Sequence, residues 1–309
     1  MTRKIGIIGM GHVGSTVAHG LIAQGIFDDY VLIDSNEAKV VADTLDFQDS
    51  LANSQYHANF IVNDYSALAD ADIIVSALGN IILQDNKDDN RFAELPFTSK
   101  EVIGVGQEIK KSGFKGILIV ITNPVDVISQ LYQKYTGLPR EKVIGTGTLL
   151  DTARMKRALG DRLSVDPRSI EGYNLGEHGN SQFVAWSQVR VKGQAIQAFL
   201  NSEERNQVRY ESMKGGHTVF RGKKYTSYGI ATAAIRLVLA VLNDSHELMP
   251  VSHYFEAEDL YLGYPAVVGR SGIIEECQLQ LNSSEEHSLA ESAKIIRDNL
   301  DKALKNDFE

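Results

Sequence analysis

The sequence predicts an α/β fold: a doubly wound parallel sheet over residues 1–145, followed by an α+β domain over residues 146–309. Three observations carry that prediction. Short apolar runs alternate with stretches of helical periodicity through the first half. A glycine triplet sits where the first run gives way to the first helix. After about residue 146 strands and helices segregate instead of alternating, as in α+β chains. A length of 309 residues suits about two domains at roughly 150 residues each, and no Pro- or Gly-rich linker marks the junction, so the change of texture places it.

Taken in order, Lys4–Ile8 reads as a strand, Val13–Gln24 as a helix and Tyr30–Ile33 as a second strand, which makes one βαβ unit. Strands follow at Phe60–Val62, Ile73–Ser76, Ile117–Ile121 and Val143–Ile144, with helices at Glu37–Leu51, Thr98–Lys111 and Val125–Tyr135. These runs are apolar throughout, the pattern of strands covered on both faces in a parallel sheet. Beyond residue 146 come a helix over Leu149–Leu163, a strand over Gln182–Val191 turning at Lys192-Gly193, and helices near Glu203–Met213 and Thr226–Leu242. The last stretch, Ser283–Leu304, is a charged helix with Leu289, Ala293, Ile296 and Leu300 on one face.

Charge and composition exclude several classes of partner. With 31 Lys and Arg against 40 Asp and Glu, the net charge of −9 disfavours nucleic-acid backbones and anionic lipid. The most apolar helical stretch, Ile230–Leu242, contains Arg236 and falls short of the ~20 residues of a membrane span. The opening Met-Thr-Arg-Lys leads into an apolar run too short and glycine-broken for an export signal. Cys277 is the only cysteine, so no intrachain disulfide forms and a reducing cytoplasm is the expected location.

Gly9-Met-Gly11-His-Val-Gly14 occupies the strand-to-helix junction that gives a G-x-G-x-x-G its meaning. Gly9 allows the tight turn, Gly11 lets backbone amides approach a pyrophosphate, and Gly14 permits close helix packing, so this is a Rossmann-type dinucleotide site. Asp34 ends the second strand, where a carboxylate accepts hydrogen bonds from ribose hydroxyls and repels a 2′-phosphate. NAD is therefore favoured over NADP, since neither Ser35 nor Asn36 supplies a cation. The plainer alternative is a tight turn with Asp34 capping the next helix.

Four further segments share an inventory suited to carbonyl reduction: Arg91 in a polar loop, Asn123 in Asn123-Pro-Val-Asp126, Asp151 and Arg154 in Asp151-Thr-Ala-Arg154, and His178 in Gly176-Glu-His178-Gly-Asn180. Hydride reaching a carbonyl carbon leaves charge on oxygen, and imidazole is the natural donor of the proton that follows. Plainer readings stand beside these. Asp151 and Arg154 have the i,i+3 spacing of an ordinary helix ion pair, Asn123 precedes a proline that ends a strand, and Arg91 lies in a charge-rich loop. His12, His19, His57, His217, His246, His253 and His287 are read as structural, and no metal-ligand spacing is present, so no metal is expected.

In order and spacing these motifs resemble the L-lactate dehydrogenase family of L-2-hydroxyacid dehydrogenases over nearly the whole chain, most closely its L-2-hydroxyisocaproate dehydrogenase branch. The resemblance implies reversible hydride transfer between NADH and a 2-oxo monocarboxylic acid with a branched or apolar side chain, with pyruvate as the alternative substrate. It also implies a homo-oligomer, dimer or tetramer. Residue by residue, His178 would exchange the proton with the 2-oxo group, and Asp151 would accept the ring's other N–H and fix its tautomer. Arg154 would clamp the substrate carboxylate with two parallel hydrogen bonds. Arg91 resembles the mobile-loop arginine that closes over substrate and polarises the carbonyl. Asn123 would hold the carbonyl oxygen or the nicotinamide, and Thr226 matches a pocket-lining position. A non-catalytic NAD(H) sensor on the same fold is the competing reading, and the intact set of His178, Asp151 and Arg154 argues against it.

The chain also departs from the family's usual pattern. The loop between Gly79 and Arg91 is longer than in typical lactate dehydrogenases, and offers Gln84 and Asp85 where a second substrate carboxylate would need an arginine, so dicarboxylates are disfavoured. Asn180 replaces an aspartate. Lys156 and Glu171 stand where sugar-phosphate-activated relatives carry an arginine and a histidine, so activation by fructose bisphosphate is not expected.

Overall fold

The computed structural model describes residues 2–84 and 90–308. Its first half alternates strands and helices: β1 (Lys4–Ile8), α1 (His12–Ile22), β2 (Asp29–Ile33), α2 (Glu37–Leu51), β3 (Asn59–Val62), β4 (Ile73–Ser76), α3 (Leu95–Ser112), β5 (Ile117–Val120), α4 (Val125–Thr136) and β6 (Val143–Gly145). All six strands are parallel, in the order β3-β2-β1-β4-β5-β6. This is the Rossmann-type doubly wound sheet, whose order reverses between β1 and β4 and so opens a crevice at the carboxyl ends of those strands.

Side chains alternate across a strand, which explains the continuous apolar runs. Ile5, Ile7, Val75 and Ile119 face one core with Val17 and Leu21 of α1. Ile8, Ile74, Leu118 and Val120 face the other with Val102 of α3 and Leu131 of α4. Burying both faces leaves no polar position to break the pattern.

The second half continues with α5 (Leu149–Leu163), β7 (Ile170–Glu171), β8 (Asn174–Leu175), β9 (Phe183–Val184), β10 (Arg190–Val191), β11 (Gln194–Ala195), α6 (Ser202–Lys223), α7 (Tyr228–Leu242), β12 (Glu247–Phe255), β13 (Leu260–Gly269), β14 (Gly272–Glu276) and α8 (Ser283–Lys305). Strands β12, β13 and β14 are antiparallel to one another and extend the first sheet to nine strands by pairing Ser252 with Gly145 of β6. Periodicity does not reveal them, because Pro250 lies opposite Pro265 in their ladder and proline argues against a strand.

Two other elements differ from the expected ones. Gln182–Val191 is not one strand: a single helical turn over Trp186–Gln188 separates β9 from β10, while Lys192 and Gly193, both at positive φ, close the β10–β11 hairpin. Helix α6 runs on to Lys223, beyond the expected end near Met213 and through the Gly215-Gly216 pair. Helix α7 starts at Tyr228, which leaves Thr226 in the short segment between α6 and α7. Among the described residues no single helix is long and apolar enough to cross a membrane.

Candidate active site

The glycine loop follows β1 and is tied to the end of β2 by the Gly9 N–H, which donates to the Ile33 carbonyl at 2.8 Å. Gly9 has φ +92°, and a Cβ there would meet the Ala77 backbone at 2.8 Å, while one on Gly14 would collide with the Gly9 carbonyl oxygen. A Cβ on Gly11 would meet nothing within 4 Å, because Gly11 faces a cavity at the N-terminus of α1. That open cradle of backbone amides is the shape a pyrophosphate needs.

Asp34 closes the loop from the other side: Oδ2 accepts the Met10 N–H at 2.6 Å and Oδ1 the Asn36 N–H at 2.8 Å. It does not cap α2, since the Asn36 side chain does so by accepting the Lys39 N–H at 3.1 Å. The Lys39 ammonium, a cation the sequence reading passed over, bonds the Met10 carbonyl and pairs with Asp43 at 2.5 Å. Gly9, Gly14 and Asp34 therefore shape the loop, and Gly11 is the member that faces the cavity.

The same cavity, of about 300 Å³, is lined by Arg91, Asn123, Asp151, Arg154, His178 and Thr226. Asp151 lies in the first turn of α5, with its side chain 5% exposed. Its Oδ2 is 2.6 Å from His178 Nδ1, and its Oδ1 accepts from Arg154 Nη1 at 3.1 Å. Burial alone would raise the Asp151 carboxyl, but His178, with Arg154 and Arg91 adding to it, overrides that and holds the group well below the usual carboxylate range. The helix ion pair and the acid–imidazole pair are thus one arrangement, built on a single carboxylate. Arg91 and Asn123 line the same cavity, and the peptide between Asn123 and Pro124 is cis. Residues 85–89, Asp85 among them, lie outside the described residues, so the reading of Gln84 and Asp85 stays an expectation.

Sequence reasoning missed a second acid. Asp126, in the first turn of α4, accepts the His178 backbone N–H at Oδ2 (2.8 Å) and the Ser252 hydroxyl of β12 at Oδ1 (2.6 Å). Burial pushes its carboxyl up to about 6, against the lowering pull of those two bonds. The loop is held again at Gly176, which exchanges two backbone hydrogen bonds with Gly263 of β13. Asp126 stands inside the quoted Asn123-Pro-Val-Asp motif, yet an acid in a first helical turn reads as a partner for the helix dipole. The opposite wall was missed as well: Met213, Gly216, His217 and Phe220 of α6, with His12 and Tyr225, face the cavity. Two of the histidines read as structural, His12 and His217, therefore line the site.

Comparison with known proteins gives the family of the chain. The lactate/malate dehydrogenase NAD binding domain matches residues 3–145, and the lactate/malate dehydrogenase alpha/beta C-terminal domain matches residues 148–307. The chain belongs to the lactate/malate dehydrogenase family. It is 34% identical to L-lactate dehydrogenase 1 of Bifidobacterium longum subsp. longum, over 98% of each chain. It is 36% identical to L-lactate dehydrogenase 3 of Bacillus anthracis, over 96% of each. Among solved structures, a lactate dehydrogenase from a Medee basin deep-sea metagenome superposes with a TM-score of 0.91 at 31% identity, covering 98% of this chain and 99% of that one. The minor L-lactate dehydrogenase of Enterococcus mundtii in its ligands-bound form gives 0.90 at 32% identity, covering 97% and 98%, and its ligands-unbound form gives 0.86 at 29% identity, covering 98% of each. The dehydrogenase is thus an NAD-dependent oxidoreductase of the 2-hydroxyacid type, and the open Gly11 cradle with Asp34 behind it fits that cofactor.

Proposed function

We propose that the dehydrogenase interconverts 2-oxo and L-2-hydroxy monocarboxylic acids with branched or apolar side chains, 2-oxoisocaproate-like, with His178 as its acid and base. One observation carries this reading: a single buried carboxylate, Asp151, holds both the imidazole of His178 and the guanidinium of Arg154 at the wall of one cavity. NADH, when bound, supplies the hydride for C2. Asp151 engages Nδ1 of the ring, so Nε2 is the atom that gives its proton to the substrate oxygen in reduction and takes it back in oxidation. Arg154 grips the substrate carboxylate with guanidinium N–H groups, a fork that fixes which face of the carbonyl is presented. Arg91 and Asn123 donate to the carbonyl oxygen as charge develops on it. Thr226 borders the side-chain pocket, and Met213 and Phe220 give that pocket apolar surface.

Pyruvate is the second reading, favoured by relatives named L-lactate dehydrogenase. Assembly as a dimer or tetramer and residence in the cytoplasm belong to the same proposal, the first supported by the family resemblance and the second by the single cysteine of the sequence. The test is NADH oxidation with pyruvate, 2-oxoisocaproate, phenylpyruvate and oxaloacetate, comparing kcat/KM. The expected ranking puts 2-oxoisocaproate first, about tenfold or more above pyruvate, the scale of a few methylenes in an apolar pocket. Pyruvate in first place would establish the second reading, oxaloacetate in first place would overturn the account of the loop after Gly79, and no turnover with any of them would favour a sensor.

A further inference from the structure

His12 opens α1 inside the glycine loop, and Tyr225 belongs to the segment joining α6 to α7. Their rings stack with centroids 3.7 Å apart and planes within 5° of parallel. Both residues line the cavity that Gly11 faces. The Tyr225 ring is itself held in place: the Lys223 ammonium lies over it, 4.7 Å from its centroid, and over Tyr228 at 3.9 Å, while donating to the Ser227 hydroxyl at 3.0 Å. Cation and ring attract at these separations, so the segment reaches the stack with its aromatic face already oriented.

Gly11 is where the backbone leaves room for an anion, and His12 is the next residue along. A pyrophosphate laid against the start of α1 therefore lies beside the stack. We propose that the His12–Tyr225 stack is a strap across the dinucleotide groove that retains bound NAD(H), fastening the pyrophosphate loop to the α6–α7 segment so that the cofactor leaves only when the rings part. His12 and Tyr225 act here as cofactor-retaining residues, with no part in the proton or hydride steps. The strap does not depend on which 2-oxo acid is the substrate.

The test is NADH release from the preformed binary complex, with no 2-oxo acid present, followed by stopped-flow NADH fluorescence alongside equilibrium titration. His12→Leu and Tyr225→Leu should each speed release about three- to tenfold and weaken Kd by a similar factor, the scale of one lost aromatic pair. Tyr225→Phe, which restores the ring face, should recover slow release. The double variant should be no worse than either single one, because both remove the same contact. Unchanged release in both leucine variants would overturn the strap, as would additive losses in the double variant. Tighter binding would overturn it too, since the stack would then obstruct the groove. The melting temperature of the cofactor-free variants separates these effects from general loosening: a Tyr225→Leu protein that melts like the parent and still releases NADH faster supports the proposal.

Discussion

The cavity has two unlike walls. On one stand Asp151 and His178, with Asp126 behind them holding the His178 backbone; all three are buried or nearly so, and their hydrogen bonds run to α5, to β12 and to one another at 2.6–3.1 Å. On the other, α6 presents Met213, Gly216, His217 and Phe220, yet of its 22 residues only Val208 and Ser212 are fully buried. The polar wall is fixed by a network in which every group constrains its neighbours, whereas the α6 wall is a half-exposed helix whose side chains can change without disturbing the sheet. Proton transfer needs geometry set before substrate arrives, and substrate choice needs only shape, so the division lets the pocket vary while the chemistry stays fixed.

The largest expected effect comes from breaking the polar wall at its centre. His178→Gln keeps a side chain of similar reach but cannot carry the proton, so kcat for 2-oxo acid reduction should fall about 10³-fold, within the usual range for a general acid. Kd for NADH, read by fluorescence titration, should stay within about twofold of the parent, because the dinucleotide loop is untouched. A variant that still turns over at the parental rate would remove His178 from the mechanism.

A smaller effect probes how the same wall is held. The Asp126 carboxyl titrates near 6 in the folded chain, above its ordinary 3.8. A group raised by folding favours the folded state most below its unfolded value, and that contribution is lost as pH climbs through the folded one. The window is therefore roughly pH 4 to 6, and a shift of about two units corresponds to about 2–3 kcal/mol. Asparagine at this position cannot ionise, but its oxygen can accept from the His178 N–H while its amide donates to Ser252. Asp126→Asn should thus melt below or level with the parent at pH 4 and gain on it by about 2 kcal/mol by pH 7, read from melting temperatures across that range. A difference that does not change with pH would mean that the buried carboxyl carries no such burden.

These walls were not equally legible in the sequence. The parallel sheet was, because Ile5, Ile7, Ile74 and Val120 are buried whichever way they point and leave an unbroken apolar signature. Asp151, Arg154 and His178 were visible through motif order. Asp126 was not: its meaning lies in contacts with Ser252 and His178, 126 and 52 residues away along the chain, which only folding brings together. Strand β12 hides for a related reason, since Ser252 and His253 are polar residues in a buried strand, and the acids that face them, Asp126 for Ser252 and Glu276 for His253, lie on other elements. The α6 wall hides behind Gly215 and Gly216. Gly216 packs against the guanidinium of Arg154, where a Cβ would come within 3.1 Å of its central carbon, so the residue that seems to end the helix is what lets the helix approach the site.

The smallest expected effect tests the α6 wall itself. Met213 lines the cavity from a helix that contributes little to the core, so Met213→Ala should shift the melting midpoint only slightly, by well under the 2–5 kcal/mol that a fully buried methionine would cost. The space it frees should instead appear in selectivity. Each methylene accommodated in an apolar pocket is worth about 1–3 kcal/mol, and a thioether arm leaves room for one or two, so kcat/KM for the longest apolar 2-oxo acid relative to pyruvate should rise by about tenfold. The kcat for pyruvate should be nearly unchanged, because Asp151, His178 and Arg154 are not touched. If all substrates lose kcat/KM in equal measure and the melting point drops with them, α6 is part of the scaffold and not of the recognition surface, and the contrast between the two walls disappears.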